Sequence, residues 1–208
     1  MVRDFLTVTG ARVQAELRGL SCLPLSLAAP TRQGIAVTRT LGRPVETWAE
    51  LREAVASYTT RAAEKLRQEG LEVSHLAVFA HTSPHNGDPW HSSQRSARIE
   101  PTADTPALIG EAVRLLRAGW QPGFRYFKAG VMFTELAPAT SQTTLFASRD
   151  PARSARAMAA LDAVNARWGR GTLRPASSGL VHGWAARQQR LSPRYTTQAG
   201  EILIGTAF

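Results

Sequence analysis

Between residues 34 and 137 the hydrophobic pattern alternates between the two-residue period of strands and the three- to four-residue period of helices. Thr47 and Glu50 have the spacing of a capping box, and Gly70 stands where the helical period stops. The predicted elements are, in order, a strand at 35–40, a helix from Thr47 to Gly70, a strand at 73–81, a loop at 82–90, a strand at 94–100, a helix at 105–119 and a strand at 126–136.

This order, β-α-β-β-α-β, predicts an α+β fold of the split βαβ type, with four antiparallel strands and two helices on one face of the sheet. The other face should be open to solvent. It is either an ordinary solvated surface or one that lies along a phosphate backbone. Period-two alternation with Phe127 inward predicts these outward residues: Thr38 or Arg39 on the first strand, Ser96 and Arg98 on the third, and Tyr126, Lys128 and Thr134 on the last.

The segments before this pattern are short. Residues 1–20 have too few apolar positions for a core of their own, and they suggest a hairpin-like loop followed by a helix over 11–18 that ends at Gly19. Residues 21–33, with two prolines and several small residues, form a linker. We therefore expect residues 1–20 to be the end of a larger structure.

Residues 150–208 are predicted to form a short, arginine-rich helical C-terminal tail. Its main helix starts with Asp150 as N-cap and Pro151 in the first position, and it ends at Gly169. Trp168 lies on the apolar side of this helix, which favours a role in the core over one in base stacking. Residues 184–191 suggest another short helix.

The net charge of the 208 residues is +9, and 23 of the 25 basic residues are arginine. Residues 137–208 contribute nine arginines against three acids. Such a surplus is typical of polyanion-binding proteins, although an arginine-rich codon bias produces it too. The single cysteine, the absence of ligand-like spacing among the histidines and the lack of a long apolar run favour a cytoplasmic protein in a reducing compartment.

A compact docking motif, Gln142–Phe146, lies in the predicted linker 138–149. An amide and a Leu-Phe pair on an exposed segment suit a partner with an apolar pocket. Alternatively, the pair packs back onto its own domain.

Five stretches carry a resemblance to the UmuC branch of Y-family translesion DNA polymerases. They are Arg12–Leu25, Thr38–Gly42, Arg125–Met132, Leu161–Thr172 and Leu191–Thr197. The resemblance implies that 1–20 is the end of the thumb with its helix-hairpin-helix, that 34–137 is the DNA-binding little finger, and that 150–208 is the UmuC-specific extension. It also implies that 138–149 carries the sliding-clamp peptide, anchored by Gln142, Leu145 and Phe146.

The catalytic palm of that family, with its Mg²⁺ site, has no counterpart among these residues. We therefore expect a DNA-binding and clamp-docking portion that is not an enzyme by itself and holds no cofactor. The alternatives are an active polymerase and a stand-alone clamp- or nucleic-acid-binding regulator. A single-strand or RNA-binding module of the same topology would expose aromatic residues on the sheet, where the pattern places only Tyr126.

The resemblance and the charge together predict which residues and partners are involved. The expected partners are damaged or primer-template DNA and the sliding clamp, with a UmuD-like subunit and a recombinase filament as further candidates. The predicted DNA contacts are Thr38, Arg39, Thr40, Arg95, Ser96, Arg98 and Lys128.

Overall fold

A computed structural model describes residues 2–23, 25, 32–85, 87–139, 150–186, 191–202 and 204–205. The chain divides into two compact units, residues 1–32 and 33–208. The first unit contains helix α1 (Val2–Leu17), which is interrupted at Thr7 by a residue with φ 60° and ψ −171°. The predicted helix is its second half, and the chain turns at Gly19 as expected, with φ +81°. The hairpin-like loop predicted before it is wrong, because residues on both sides of Thr7 are helical.

The second unit has the predicted β-α-β-β-α-β order. Its elements are β1 (Gly34–Val45), α2 (Trp48–Gln68), β2 (Leu71–Thr82), β3 (Ser92–Thr102), α3 (Thr105–Gly119), β4 (Tyr126–Pro138) and α4 (Pro151–Trp168), with short 3-10 turns at Ala176–Ser178 and Ala199–Glu201. All strand pairs are antiparallel, in the order β1-β4-β2-β3. Helices α2 and α3 pack against the sheet. The predicted split βαβ fold is confirmed.

Local signals set the helix boundaries. The side chain of Thr47 accepts a hydrogen bond from the backbone N–H of Glu50 at 3.3 Å, and Gly70 follows the helix with φ +65°. Asp104 caps α3 by accepting from Ala107 N at 2.7 Å, and Asp150 caps α4 by accepting from Ala152 N at 3.0 Å. No helix in the described part of the chain combines the length and the apolar character needed to cross a bilayer.

A β-bulge in β4 changes which aromatic residue enters the core. Lys128 pairs with His81, whereas Tyr126 pairs with Thr82, so β4 has one extra residue, Phe127, at this point. The extra residue reverses the alternation, so that Tyr126 is fully buried and Phe127 is partly exposed. The prediction that Tyr126 points outward is therefore wrong. Its hydroxyl accepts a hydrogen bond from Gln121 N at 2.9 Å, and burial raises its pKa.

Helix α4 packs onto the helices of the sheet domain. Arg67 of α2 forms a bidentate ion pair with Asp162 of α4, with both N–O distances 2.7 Å. The same guanidinium donates to the carbonyl of Ala103 and to the hydroxyl of Thr105. Met158 and Leu161 are the buried side chains of α4. The tail and the sheet thus belong to one compact unit.

The tail also contributes a core residue, Trp184, which is only 4% exposed. Its carbonyl accepts a hydrogen bond from Gly42 N at 2.8 Å, at the edge of the sheet. A Cβ on Gly42 would collide with the carbonyl of Ala185, so this close approach requires glycine. Trp168, by contrast, is 61% exposed, so its predicted place in the core is wrong. Of the short helix predicted at 184–191, residues 184–186 are not helical and 187–190 lie outside the described residues.

Candidate nucleic-acid interface

The face of the sheet opposite to α2 and α3, here called the open face, is a grid of side chains set by the strand register. Residues directly opposite each other on paired strands point to the same side. Crossing the sheet from β1 through β4 and β2 to β3, the four rows are Gly34–Thr134–His75–Arg98, Ala36–Met132–Ala77–Ser96, Thr38–Gly130–Phe79–Gln94 and Thr40–Lys128–His81–Ser92.

Five of the seven predicted DNA contacts lie on this face. They are Thr38, Thr40, Ser96 and Arg98, which are exposed, and Lys128, which is partly buried. They lie on β1, β3 and β4, and each of the four rows contains at least one of them. Hydroxyl groups therefore outnumber cations among the predicted contacts on this face.

Arg39 and Arg95 lie on the helix side of the sheet instead. Arg39 stands opposite the buried Ala129 and is close enough to Tyr58 of α2 for its charge to act on that hydroxyl. Arg95 lines a small crevice with Leu115 and Gly119 of α3. Neither side chain shares a face with Lys128.

Arg98, in the first row of the open face, has an acidic neighbour. Its Nη2 lies 2.9 Å from Oε1 of Glu135, and both side chains are largely exposed. Glu135 adopts φ +54°, which is uncommon for a residue with a side chain. Because an exposed ion pair contributes only about 0–1 kcal/mol, a phosphate can replace this carboxylate at little cost. His75 and Thr134, beside the pair, are joined by a 2.7 Å hydrogen bond between Nδ1 and Oγ1.

An aromatic row at the C-terminal end of β2, on the open face, was missed by the sequence reasoning. Phe79 stacks on His81 with ring centroids 6.0 Å apart, and His81 lies 5.9 Å from Trp90, which is 59% exposed. Gly130 makes room for Phe79, because a Cβ there would lie 2.8 Å from the phenyl ring. Alternation with the apolar Val78 and Ala80 could have revealed Phe79 and His81, whereas Trp90 sits in a loop that has no period.

The predicted docking residues Gln142, Leu145 and Phe146 lie outside the described residues. The described residues on either side belong to the sheet unit. Ala139 N donates to the carbonyl of Gly70 at 2.9 Å, and Asp150 caps α4. As for metals, the described ranges contain no group of three or more His, Cys, Asp or Glu side chains arranged to hold an ion.

Comparison with known proteins gives two family matches. Residues 32–145 match the impB/mucB/samB family C-terminal domain, and residues 155–204 match a domain of unknown function (DUF4113). The first match covers β1 through β4 and ends at Leu145, within the predicted docking peptide. The second covers most of α4 and the segment that places Trp184 in the core.

Three curated proteins show the extent of the similarity. The chain is 39% identical over 207 residues to Protein UmuC of Salmonella typhimurium, which covers 98% of the chain and 49% of that protein. It is 38% identical over 205 residues to Protein SamB of Salmonella typhimurium, covering 97% and 48%. It is 35% identical over 208 residues to Protein MucB of Escherichia coli, covering 99% and 49%. The chain thus spans about half the length of the curated relatives it matches.

Proposed function

This chain belongs to the impB/mucB/samB family, and we propose that it is the DNA-binding and clamp-docking part of a UmuC-like translesion DNA polymerase that acts in DNA repair and SOS mutagenesis. The observation that supports the proposal best is the open face itself. It joins four strands into a polar surface, while α2 and α3 pack on the other side.

The chemistry of the open face suits contact with the phosphate backbone. Thr38, Thr40 and Ser96 offer neutral hydroxyl donors. Arg98 offers a charge in the first row and Lys128 in the last. Hydroxyls and cations of this kind position a protein on DNA without reading its sequence. We therefore expect binding that is independent of sequence and weakens steeply as salt is added.

Salt-dependent anisotropy with a labelled duplex tests this proposal. Arg98→Ala and Lys128→Ala should each weaken binding severalfold and reduce the slope of log K against log salt concentration by about 1. Arg114→Ala is the matched control, because Arg114 is also an exposed arginine in a surface ion pair, with Glu111, but lies on α3. Equal effects in all three variants, or a flat salt dependence in the unmodified chain, would contradict the proposed use of the open face.

Clamp docking is proposed to depend on Gln142, Leu145 and Phe146, with Thr143 and Thr144 as spacers. Phe146→Ala should weaken binding to a sliding clamp by about 2 kcal/mol or more, as expected for an aromatic anchor that fills a pocket. Thr144→Ala, at a spacer position, should have little effect. Clamp affinity measured by surface plasmon resonance and unchanged in Phe146→Ala would remove this part of the proposal.

Catalysis is proposed to reside outside these 208 residues, in the palm with its Mg²⁺ site. The chain alone should add no nucleotide in a primer-extension assay, and incorporation would refute this. We propose that the tail is the part of the chain that meets a UmuD-like subunit or a recombinase filament, because it carries exposed apolar side chains such as Leu180 and Val181 and a surplus of arginine. A chain that binds clamp and DNA without polymerising would also compete with intact polymerases for the clamp.

A further inference from the structure

We propose that the aromatic row Trp90–His81–Phe79, next to the proposed backbone contact Lys128, forms a subsite for an unpaired nucleobase of single-stranded DNA. This inference rests on the proposed DNA-binding function and adds a specific ligand to it. The aromatic row has three features that a solvated strand surface does not need.

The first feature is an exposed stacking platform. Trp90 is 59% exposed, although it is one of the largest apolar side chains in the domain. It is tilted by 37° against His81, which in turn lies nearly parallel to Phe79 at 16°. Trp90 is thus the exposed end of this row of rings. A nucleobase can stack on such a platform whatever its identity, because every base has a π face.

The second feature is a fixed orientation of His81. Its Nδ1 lies 3.0 Å from the carbonyl oxygen of Thr82. A carbonyl oxygen can only accept a hydrogen bond, so Nδ1 carries a hydrogen and Nε2 is left for an incoming group. The imidazole thus presents Nε2 to an incoming group, which suits the edge of a base.

The third feature is a cation on β4, the strand paired with β2 beside the aromatic row. Lys128 stands directly opposite His81 across β2 and β4, and Thr40 stands opposite Lys128 across β1 and β4. Opposite residues have Cβ atoms about 5 Å apart. A base on Trp90 and His81 would place its phosphate near this ammonium group and the hydroxyl of Thr40. Single-strand sites combine aromatic stacking with a basic groove in this way.

The residues that alternate with the aromatic row along β2 are the ones that fill the core. Val78, Ala80 and Thr82 alternate with Phe79 and His81 and are buried on the helix side. Gly130 in β4 leaves space for Phe79 to lie flat, since a Cβ at Gly130 would come within 2.7 Å of Thr38 and 2.8 Å of Phe79. The sheet is thus built to hold an aromatic residue on its open side.

The test compares two DNA probes on the full 208-residue chain by fluorescence anisotropy at one salt concentration: a blunt duplex, and the same duplex with a single-stranded thymidine overhang. Trp90→Ala should weaken binding of the overhang probe by about fivefold or more, the loss expected for one stacked base, and leave the blunt duplex nearly unchanged. Trp90→Phe, which keeps an aromatic face, should retain most of the affinity for the overhang.

Trp168→Ala is the matched control, because Trp168 is 61% exposed and has the guanidinium of Arg167 4.8 Å from its ring, yet lies on α4. It should bind both probes as the unmodified chain does. The subsite is refuted if Trp90→Ala weakens both probes equally or neither, or if Trp168→Ala loses the overhang to the same extent. If the unmodified chain binds neither probe, the proposed function fails as well. Equal midpoints of urea unfolding for the variants and the unmodified chain would show that a loss of DNA affinity is not caused by misfolding.

Discussion

Replacing Trp184 by alanine is expected to destabilise the sheet domain, although this tryptophan lies in the tail. The indole is 4% exposed and belongs to the same apolar core as Leu51 and Val55 of α2. Its ring meets Tyr58 edge to face, with centroids 5.5 Å apart at 87°. The indole Nε1–H donates to Oε1 of Glu53 at 2.9 Å.

The size of the effect follows from these contacts. Truncating a buried tryptophan to alanine costs about 3–5 kcal/mol, which includes the lost aromatic pair and the cavity that remains. The hydrogen bond to Glu53 adds little to this, because Glu53 is only partly buried and water can replace the indole donor. We therefore expect a loss of about 3–4 kcal/mol, a large part of the free energy of unfolding of a typical domain.

Urea unfolding followed by far-UV circular dichroism measures the loss. Trp168→Ala is the control, since this side chain is 61% exposed and its contact with Arg167 is worth about 0.5–1 kcal/mol at such a site. The two variants remove the same side chain from the same tail, so the difference between them isolates burial. If their free energies of unfolding differ by less than about 1 kcal/mol, the tail does not support the sheet domain and the reasoning is wrong.

Two further predictions concern charge. Glu135→Gln should release Arg98 and raise the affinity for duplex DNA about threefold in an anisotropy titration, because an exposed ion pair of about 0.5–1 kcal/mol no longer competes with phosphate; equal or lower affinity would contradict this. Burial raises the pKa of Tyr58 to about 12, against the opposing charge of Arg39, from an ordinary value of 10.0. The folded state therefore keeps a proton that the unfolded state loses, so this contribution to stability is complete below pH 10 and lost between pH 10 and 12, by up to about 3 kcal/mol. Tyr58→Phe should remove that part of the alkaline decline in urea midpoint, and parallel pH profiles for the two proteins would refute it.

Local signals made the element order and the helix ends predictable from the sequence. Thr47, Asp150 and Gly70 act within a few residues of the chain, so their caps and stops depend little on distant contacts. The β-α-β-β-α-β order then leaves few topologies open, and the split βαβ arrangement is the one observed. The end of β1 was less predictable: the strand continues to Val45, past Gly42, whose N–H donates to the carbonyl of Trp184 in the tail.

The errors have non-local causes. A bulge opposite Thr82 reverses the alternation in β4, and no residue near Tyr126 signals it. Trp168 flanks the apolar side of α4, but only the part of that side around Met158 and Leu161 is covered by other elements. Trp184 lies in a segment with no period at all, so its burial depends on contacts with α2 that are more than 100 residues away in the chain.

The placement of the predicted DNA contacts shows that the charge of a residue and the side of the sheet on which it lies must be considered together. Strict alternation already places Arg39 on the side of Val37, and Arg95 on the side of Ala97. Arg39 and Arg95 were predicted to contact DNA because of their charge, against that alternation. Both arginines lie on the helix side of the sheet. The five contacts that alternation supports are the ones on the open face.

The packing of the tail has a consequence for how DNA binding and clamp docking would act together. The described residues on both sides of 140–149 belong to the same unit: Ala139 is hydrogen-bonded to Gly70, and α4 is joined to α2 through Arg67 and Asp162. Ten residues span at most about 35 Å when fully extended, so a segment fixed at both ends can extend only about half that distance from its anchors. A clamp bound to Phe146 would therefore stay close to the domain that carries the open face. Two proposed sites linked this closely would bind DNA-loaded clamp more tightly than either site alone, without any new contact.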